Sequence, residues 1–314
     1  MYYIGLDVGG TNIKAGLVDP EGTVLYRTKA PTLANRASEE IAESMCLLVR
    51  TVLEESGVPA SAVESIGIGI PGVCSEEAGT VLYTPNINLS AFPLRAYIEK
   101  RFSLPVHLGN DANCAALGEY FCLTERPRDM ILITLGTGIG GGLILGGRLH
   151  AGFNGIAGEV GHILLVPDGA PCECGRKGCW ESYASVSALV RQTRAFVSAH
   201  PESPLAKGVG EDLSLICGKT PFDFAKAGDK DAQSLVDTWT GYVAEGLTDI
   251  VNIFQPELLL IGGAISAEGE TLLAPLSRKV EDKMYKSCVP RPKIKAAAKG
   301  NDAGLIGAAF LGRK

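Results

Sequence analysis

Residues 2–19, YYIGLDVGGTNIKAGLVD, and residues 130–145, MILITLGTGIGGGLIL, share one outline: an apolar run, a turn rich in glycine, and a second apolar run. Aliphatic and β-branched runs bounded by glycine and asparagine read as hairpin strands. The first pair is predicted at 2–8 and 12–19, around Asp7-Val-Gly9-Gly10-Thr11-Asn12. The second is predicted at 130–135 and 143–145, joined by the loop 136–142. Two hairpins of one outline predict two related halves that face one ligand.

Outward from the first hairpin, Asp19-Pro-Glu-Gly22 turns the chain into a third strand at 23–28. Residues 38–56 read as an amphipathic helix capped by Ser38, with Ile41, Met45, Leu48 and Val52 on one face and Gly57 stopping it. A strand at 63–70 ends at Pro71-Gly72, a helix spans 93–102, and a strand at 105–108 leads into Asn110-Asp111 and a helix at 112–121. Beyond residue 180, helices near 185–199, 231–254 and 270–284 alternate with strands at 258–261 and 293–297, and a last helix starts at Ala303. Strands alternating with helices make an α/β protein. The stretch 199–218 reads as the loosest part of the chain.

A length of 314 residues predicts two domains with sizeable cores. Apolar content of 46% and charged content of 20% are globular values. A net charge of −6 argues against nucleic acid or an anionic membrane as partner. No apolar run approaches the roughly 18 residues of a membrane helix, and the first residues carry no targeting pattern, so a cytoplasmic location is expected. The 39 glycines predict many tight turns and backbone-lined sites.

Glycine lets a backbone approach an anion and aim successive N–H groups at it, and threonine adds a hydroxyl donor. Asp7, Gly9, Gly10, Thr11 and Lys14 combine such a turn with a carboxylate able to hold Mg²⁺ and with a cation. Gly136, Thr137 and Gly138 form the second turn, and Gly262-Gly263 follows a third strand. One such turn is as often a tight bend, and Lys14 on a hairpin also fits a solvated face. Together the three suggest nucleotide phosphates, although neither a Walker loop nor a dinucleotide fingerprint is present. Asp111 by itself fits a helix N-cap. Beside phosphate turns it fits a group that aligns a sugar hydroxyl and takes its proton during phosphoryl transfer.

Residues 158–181 hold one histidine and three cysteines, His162, Cys172, Cys174 and Cys179, with Gly175 and Gly178 at the bends. A Cys₃His set closes a tetrahedral structural zinc site and leaves no open position. Zinc there would bring Glu159 and Glu181 near one point. The plainer alternative, three small apolar residues, sits badly with the polar filler. Nine cysteines, an odd and scattered set, argue against disulfides. Cys46, Cys74, Cys114, Cys122, Cys217 and Cys288 read as ordinary buried thiols.

These pieces closely resemble the ROK family of repressors and sugar kinases, within the actin-like ATPase superfamily. The pattern runs without a gap from Leu135-Gly-Thr-Gly138-Ile-Gly140-Gly-Gly142-Leu143 through Gly152 to Gly158-Glu-Val-Gly161-His162, and the zinc motif is complete. The resemblance implies a two-lobed, ribonuclease H-like α/β fold: a small lobe of residues 1–108 joined by a C-terminal helix at 301–314, and a large lobe of 109–300 with the zinc segment. It implies ATP and sugar in the cleft, Asp111 as catalytic base, and Asn110, Glu159, His162 and Glu181 on sugar hydroxyls. Asp7, Gly9, Gly10, Thr11 and Lys14 would face phosphate and Mg²⁺, Gly136, Thr137 and Gly138 the phosphates, and Gly262 and Gly263 the adenosine. His162 would bind zinc through one ring nitrogen and offer the other to the sugar. The implied activity is ATP-dependent phosphorylation of a hexose, glucose to glucose 6-phosphate first, by a homodimer. The alternatives are an N-acylhexosamine kinase, acting on N-acetylmannosamine or N-acetylglucosamine, and, less favoured, a sugar-sensing transcription regulator.

Overall fold

The computed structural model describes residues 1–313. The chain opens on a meander, β1 (Tyr2–Val8), β2 (Asn12–Val18) and β3 (Val24–Pro31). Next come α1 (Ser38–Glu55), β4 (Val63–Ile70), the hairpin β5 (Val73–Ser75) and β6 (Thr80–Tyr83), α2 (Leu94–Phe102), β7 (Val106–Asn110) and α3 (Asp111–Phe121). A second meander follows, β8 (Met130–Leu135), β9 (Ile139–Leu145) and β10 (Arg148–Leu149). After an irregular stretch that carries the clustered cysteines come α4 (Glu181–Ala184), α5 (Val186–Ala199), α6 (Pro204–Val209), α7 (Thr220–Lys226) and α8 (Lys230–Phe254). β11 (Leu258–Gly262), α9 (Glu270–Lys283), β12 (Lys293–Ala296) and α10 (Ala303–Ala309) complete the α/β fold.

The two large sheets are permuted alike. One runs β3-β2-β1-β4-β7 and the other β10-β9-β8-β11-β12. In chain order each therefore reads third, second, first, fourth, fifth. The likeness of the two hairpins extends to the whole of both sheets.

The first compact unit comprises Met1–Leu132, Gly142–Gly158 and the stretch from Ala298. It runs past the expected boundary at residue 108 because α3 packs on α10: a Cβ at Gly307 would overlap the Cys114 carbonyl, and one at Gly118 the Ala303 carbonyl. On one face of the sheet, Ile41, Met45 and Val49 of α1 are buried with Ile4, Leu6, Ile13 and Ile66. On the other, Leu305, Ile306, Ala309 and Phe310 cover Tyr3 and Val18. The α10 backbone reaches the sheet because Gly5 and Gly67 lack side chains; a Cβ on either would overlap a carbonyl of α10. Part of the glycine count therefore serves close packing and not turns.

The cap of α1 differs from expectation. Ala37 is the N-cap residue, and the Glu40 carboxylate accepts its N–H at 3.0 Å. Ser38 instead donates its hydroxyl to the Asn88 carbonyl at 2.9 Å.

The second unit comprises Ile133–Gly141 and Glu159–Ala297. Its long helix α8 buries Trp239, Val243, Leu247 and Val251. The stretch 199–218 is better ordered than its composition suggests. Ser203 caps α6 by accepting the Ala206 N–H at 3.1 Å, and Leu205 and Ile216 join Val197 and Ala232 in a core cluster. Cys217, expected buried, is exposed and within 3.6 Å of the Thr220 hydroxyl. A second correction concerns the glycine loop: β9 begins at Ile139, so Gly140, Gly141 and Gly142 lie in the strand. A Cβ at Gly142 would stand 2.8 Å from the Ala112 carbonyl and overlap the Ala116 side chain, so α3 needs that glycine. Among the described residues no helix is long and apolar enough to cross a membrane.

Candidate functional site

In the first unit the parallel strands β1, β4 and β7 are in register, Asp7 opposite Gly69 and Gly69 opposite Gly109. Neighbouring strands stand about 4.8 Å apart, so Asp7 and the Asn110-Asp111 pair lie at the same carboxyl end, roughly 10 Å from each other. Gly69, between them, projects no side chain. Burial, with the Asp111 and Asp7 carboxylates behind it, holds the Cys114 thiol well above its ordinary value. One buried thiol thus feels both acids. Carboxyl ends of parallel strands are where α/β sheets gather ligands.

Asn110, and not Asp111, caps α3. Its Oδ1 accepts the N–H groups of Ala112 at 2.9 Å and Asn113 at 3.2 Å, and its Nδ2 donates to the Gly72 carbonyl at 3.1 Å. Asp111 is the first helical residue, and its Oδ1 accepts the Ala112 N–H at 2.9 Å. The capping alternative for Asp111 therefore fails, because its neighbour fills that position.

Asp7 faces Lys14 directly across the β1–β2 ladder, with 3.0 Å between Nζ and Oδ2. Lys14 also donates to the Asn301 carbonyl at 3.3 Å. The Gly9 N–H closes the turn onto the Asn12 carbonyl at 2.9 Å. Thr32 holds that turn from outside, its hydroxyl donating to the Gly9 carbonyl at 2.6 Å and its N–H to the Thr11 carbonyl at 2.9 Å. No sequence signal singled out Thr32. Gly10 has neither a left-handed backbone nor any neighbour within 4 Å of a Cβ placed on it, and the same holds for Gly136. Neither conformation nor packing demands these two glycines.

In the second unit the Gly136 N–H donates to the Gly138 carbonyl at 3.0 Å, while the Gly136 carbonyl accepts from Val186 at 2.9 Å. Thr137 at the tip is exposed. Gly263 takes φ +90° and lies so close to the Leu135 carbonyl that a Cβ there would overlap it. The end of β11 thus rests on the end of β8.

His162, Cys172, Cys174 and Cys179 place one ligand atom each within 4.8 Å of all the others. Cys172 Sγ stands 3.6 Å from His162 Nδ1, and Cys174 Sγ 3.6 Å from Cys179 Sγ. Sulfurs on a tetrahedral zinc with bonds of about 2.3 Å stand about 3.8 Å apart, so distances and donor chemistry both fit that ion. Burial pushes the Cys179 thiol up to about 12, with the neighbouring thiols adding to it, while the Arg176 backbone N–H lowers Cys174. Left-handed Gly175 and Gly178 fold the loop, with the Gly175 N–H on the Cys172 carbonyl at 3.0 Å and the Gly178 N–H on the Ala170 carbonyl at 2.8 Å.

The zinc-type loop is anchored by a residue that sequence reasoning passed over. Trp180 is fully buried, donates through Nε1 to the Tyr242 carbonyl at 2.8 Å, and packs so tightly on Gly246 that a Cβ there would overlap its ring. At one end of the loop the unused nitrogen of His162, Nε2, lies 3.8 Å from Glu159 Oε2. At the other, Glu181 Oε2 accepts the Ile139 N–H at 2.7 Å and occupies the space a side chain at Gly138 would need. Glu159, His162, Glu181 and the second glycine turn are thus linked within one unit.

A family model described as the ROK family matches residues 3–314. The chain is 40% identical to a glucokinase of Streptomyces coelicolor, with 99% of this chain and 97% of that protein aligned. It is 36% identical to a glucokinase of Halalkalibacterium halodurans, over 99% of this chain and 94% of the relative. Among solved structures it is similar to a ROK family glucokinase from Streptomyces griseus in complex with glucose and AMPPNP, with 40% identity, a TM-score of 0.83 and 99% of each chain covered. The unbroken pattern around the glycine turn, the completed Cys₃His set and these full-length matches lead to one conclusion: the chain belongs to the ROK family.

Proposed function

We propose that this protein is an ATP-dependent sugar kinase that converts glucose to glucose 6-phosphate. The observation that carries the reading is the full-length likeness, at up to 40% identity, to proteins named as glucokinases. Residues of each unit described above are suited to that chemistry.

Asp111 accepts the proton of the attacking sugar hydroxyl. A carboxylate is a weak base, but a loose phosphoryl-transfer transition state asks mainly for alignment and late proton acceptance. Asn110 fixes the start of α3 and offers its second Nδ2 hydrogen to a hydroxyl. Glu159, His162 Nε2 and Glu181 take further hydroxyls, and the Cys₃His set holds the histidine ring by its other nitrogen. The tips of the two glycine turns, with Gly10, Thr11 and Thr137 exposed and Gly138 half-buried, present N–H and hydroxyl donors to phosphate. Gly9 and Gly136 shape those turns with their own N–H groups already engaged. Gly262 and Gly263 receive the adenosine. Mg²⁺, when bound, neutralises phosphoryl charge. Asp7 is the residue to hold it through water, sharing its carboxylate with Lys14. Zinc in the Cys₃His set, a homodimer and a cytoplasmic location belong to the same proposal.

The test is ADP release with Mg²⁺ and ATP against glucose, N-acetylmannosamine, N-acetylglucosamine, mannose and fructose. Strong turnover on glucose is expected. Turnover on an N-acetylated hexosamine alone would overturn the choice of sugar, and none on any sugar would overturn the kinase reading.

A further inference from the structure

The second unit contains a hollow of about 430 Å³ between α5 and α8, behind the zinc-type loop. It lies within the volume range of small-molecule sites. Two groups of opposite charge line it without meeting. Arg191, exposed at the open side of the hollow, donates Nη2 to the Ser182 carbonyl at 2.5 Å and, among the described residues, forms no ion pair. Asp231 sits in the first turn of α8, and no side-chain partner engages its carboxylate. A guanidinium without a counter-ion attracts an anion, and a carboxylate accepts hydroxyl donors. Between them, Ser234 and Thr238 follow Asp231 on the same helical face and add hydroxyls. Tyr183 and Tyr242 supply ring faces, their centroids 5.3 Å apart.

Aromatic faces, hydroxyls, one carboxylate and one unpaired guanidinium together suit a carbohydrate bearing an anionic group. We propose that this hollow is a second, regulatory site for a phosphorylated sugar, separate from the residues assigned to catalysis. In naming the product as that ligand, the inference rests on the kinase reading. A route back to the first site is present in the chain. Ser182 and Tyr183 line the hollow and directly follow Glu181, whose carboxylate holds the Ile139 N–H beside the second glycine turn. Filling the hollow would reposition α4 and with it that contact.

The test measures initial rates against glucose with added glucose 6-phosphate, and in parallel with glucose alone or inorganic phosphate as control additions. It compares the full-length protein, Arg191→Gln, and Ser234→Trp, which fills the hollow from an exposed helical position. The proposal expects glucose 6-phosphate to lower kcat for the unaltered protein in a way excess glucose does not relieve, with no such effect from phosphate. Both variants should keep basal turnover within about twofold and lose most of that sensitivity. Hydrogen exchange along α5 and α8 should slow with glucose 6-phosphate in the unaltered protein only. Purely competitive inhibition, identical in all three proteins, overturns the regulatory site while leaving the kinase standing. Absence of any basal turnover on glucose instead overturns the kinase reading, and the two failures are therefore distinct.

Discussion

Of the two adjacent acceptors Asn110 and Asp111, it is Asn110 that caps α3. The Asn110 oxygen serves two N–H groups of α3, so Asn110→Ala should cost about 1 kcal/mol of stability, as lost caps do, measured by urea unfolding. Asp111→Ala should cost clearly less by the same measurement. Equal losses would contradict the assignment of the cap. Glu76 offers a second test at this scale. Burial alone would raise its pKa, but the His107 hydrogen bond, the Leu108 N–H and the Arg95 charge outweigh it and lower the value. Arg95 Nη2 stands 2.7 Å and His107 Nδ1 2.8 Å from Glu76 Oε1. A depressed carboxylate stabilises the fold above its unfolded pKa, about 4.3, and loses that contribution as pH falls through the folded value. Glu76→Gln should therefore be less stable than the parent at pH 7, with the difference shrinking below about pH 4.3. A gap that stays constant with pH would show that this carboxylate is not what ties the β5–β6 turn to β7.

At the scale of elements, the Cys₃His loop is a local fold held by four side chains, two left-handed glycines and Trp180. Structural zinc contributes folding energy directly, about 10–16 kcal/mol in apparent binding for small zinc-dependent folds. Cys174→Ser, or a strong chelator, is expected to lower the melting temperature and weaken sugar affinity, because Glu159 and Glu181 flank the loop. Unchanged melting and sugar binding in a protein shown by elemental analysis to lack zinc would refute that role. This loop was legible in the sequence because metal ligands have fixed chemistry and short spacing. The hairpins and the α3 junction were legible because their turns are written in Gly, Asn and Asp. The stretch 199–218 was not, since Leu205 and Ile216 are buried by partners far along the chain, at Val197 and Ala232. Gly140 to Gly142 misled for a related reason. Gly142 is needed because α3 packs against it, far along the chain, and local composition says only that glycine is present.

At the scale of the whole chain, the same strand permutation appears in both large sheets. That repetition could be suspected from two hairpins, but their sequences share little beyond glycine, and the outer strands β10 and β12 are too short and polar to be matched by pattern. The first unit extends past residue 108 because α10, the last helix, is what binds α3 to it. In each sheet the glycine turn joins the first strand to the second. The chemistry the account assigns to these parts depends on Asp111 more than on any other residue. The most direct measurement follows the product by phosphorus NMR, with glucose, ATP and Mg²⁺, for the unaltered protein and for Asp111→Asn, with glucose affinity measured for both by calorimetry. The account predicts a glucose 6-phosphate signal from the unaltered protein, formed at least about 100-fold more slowly by the variant with glucose binding retained. Near-equal rates, or no glucose 6-phosphate from the unaltered protein, would contradict it.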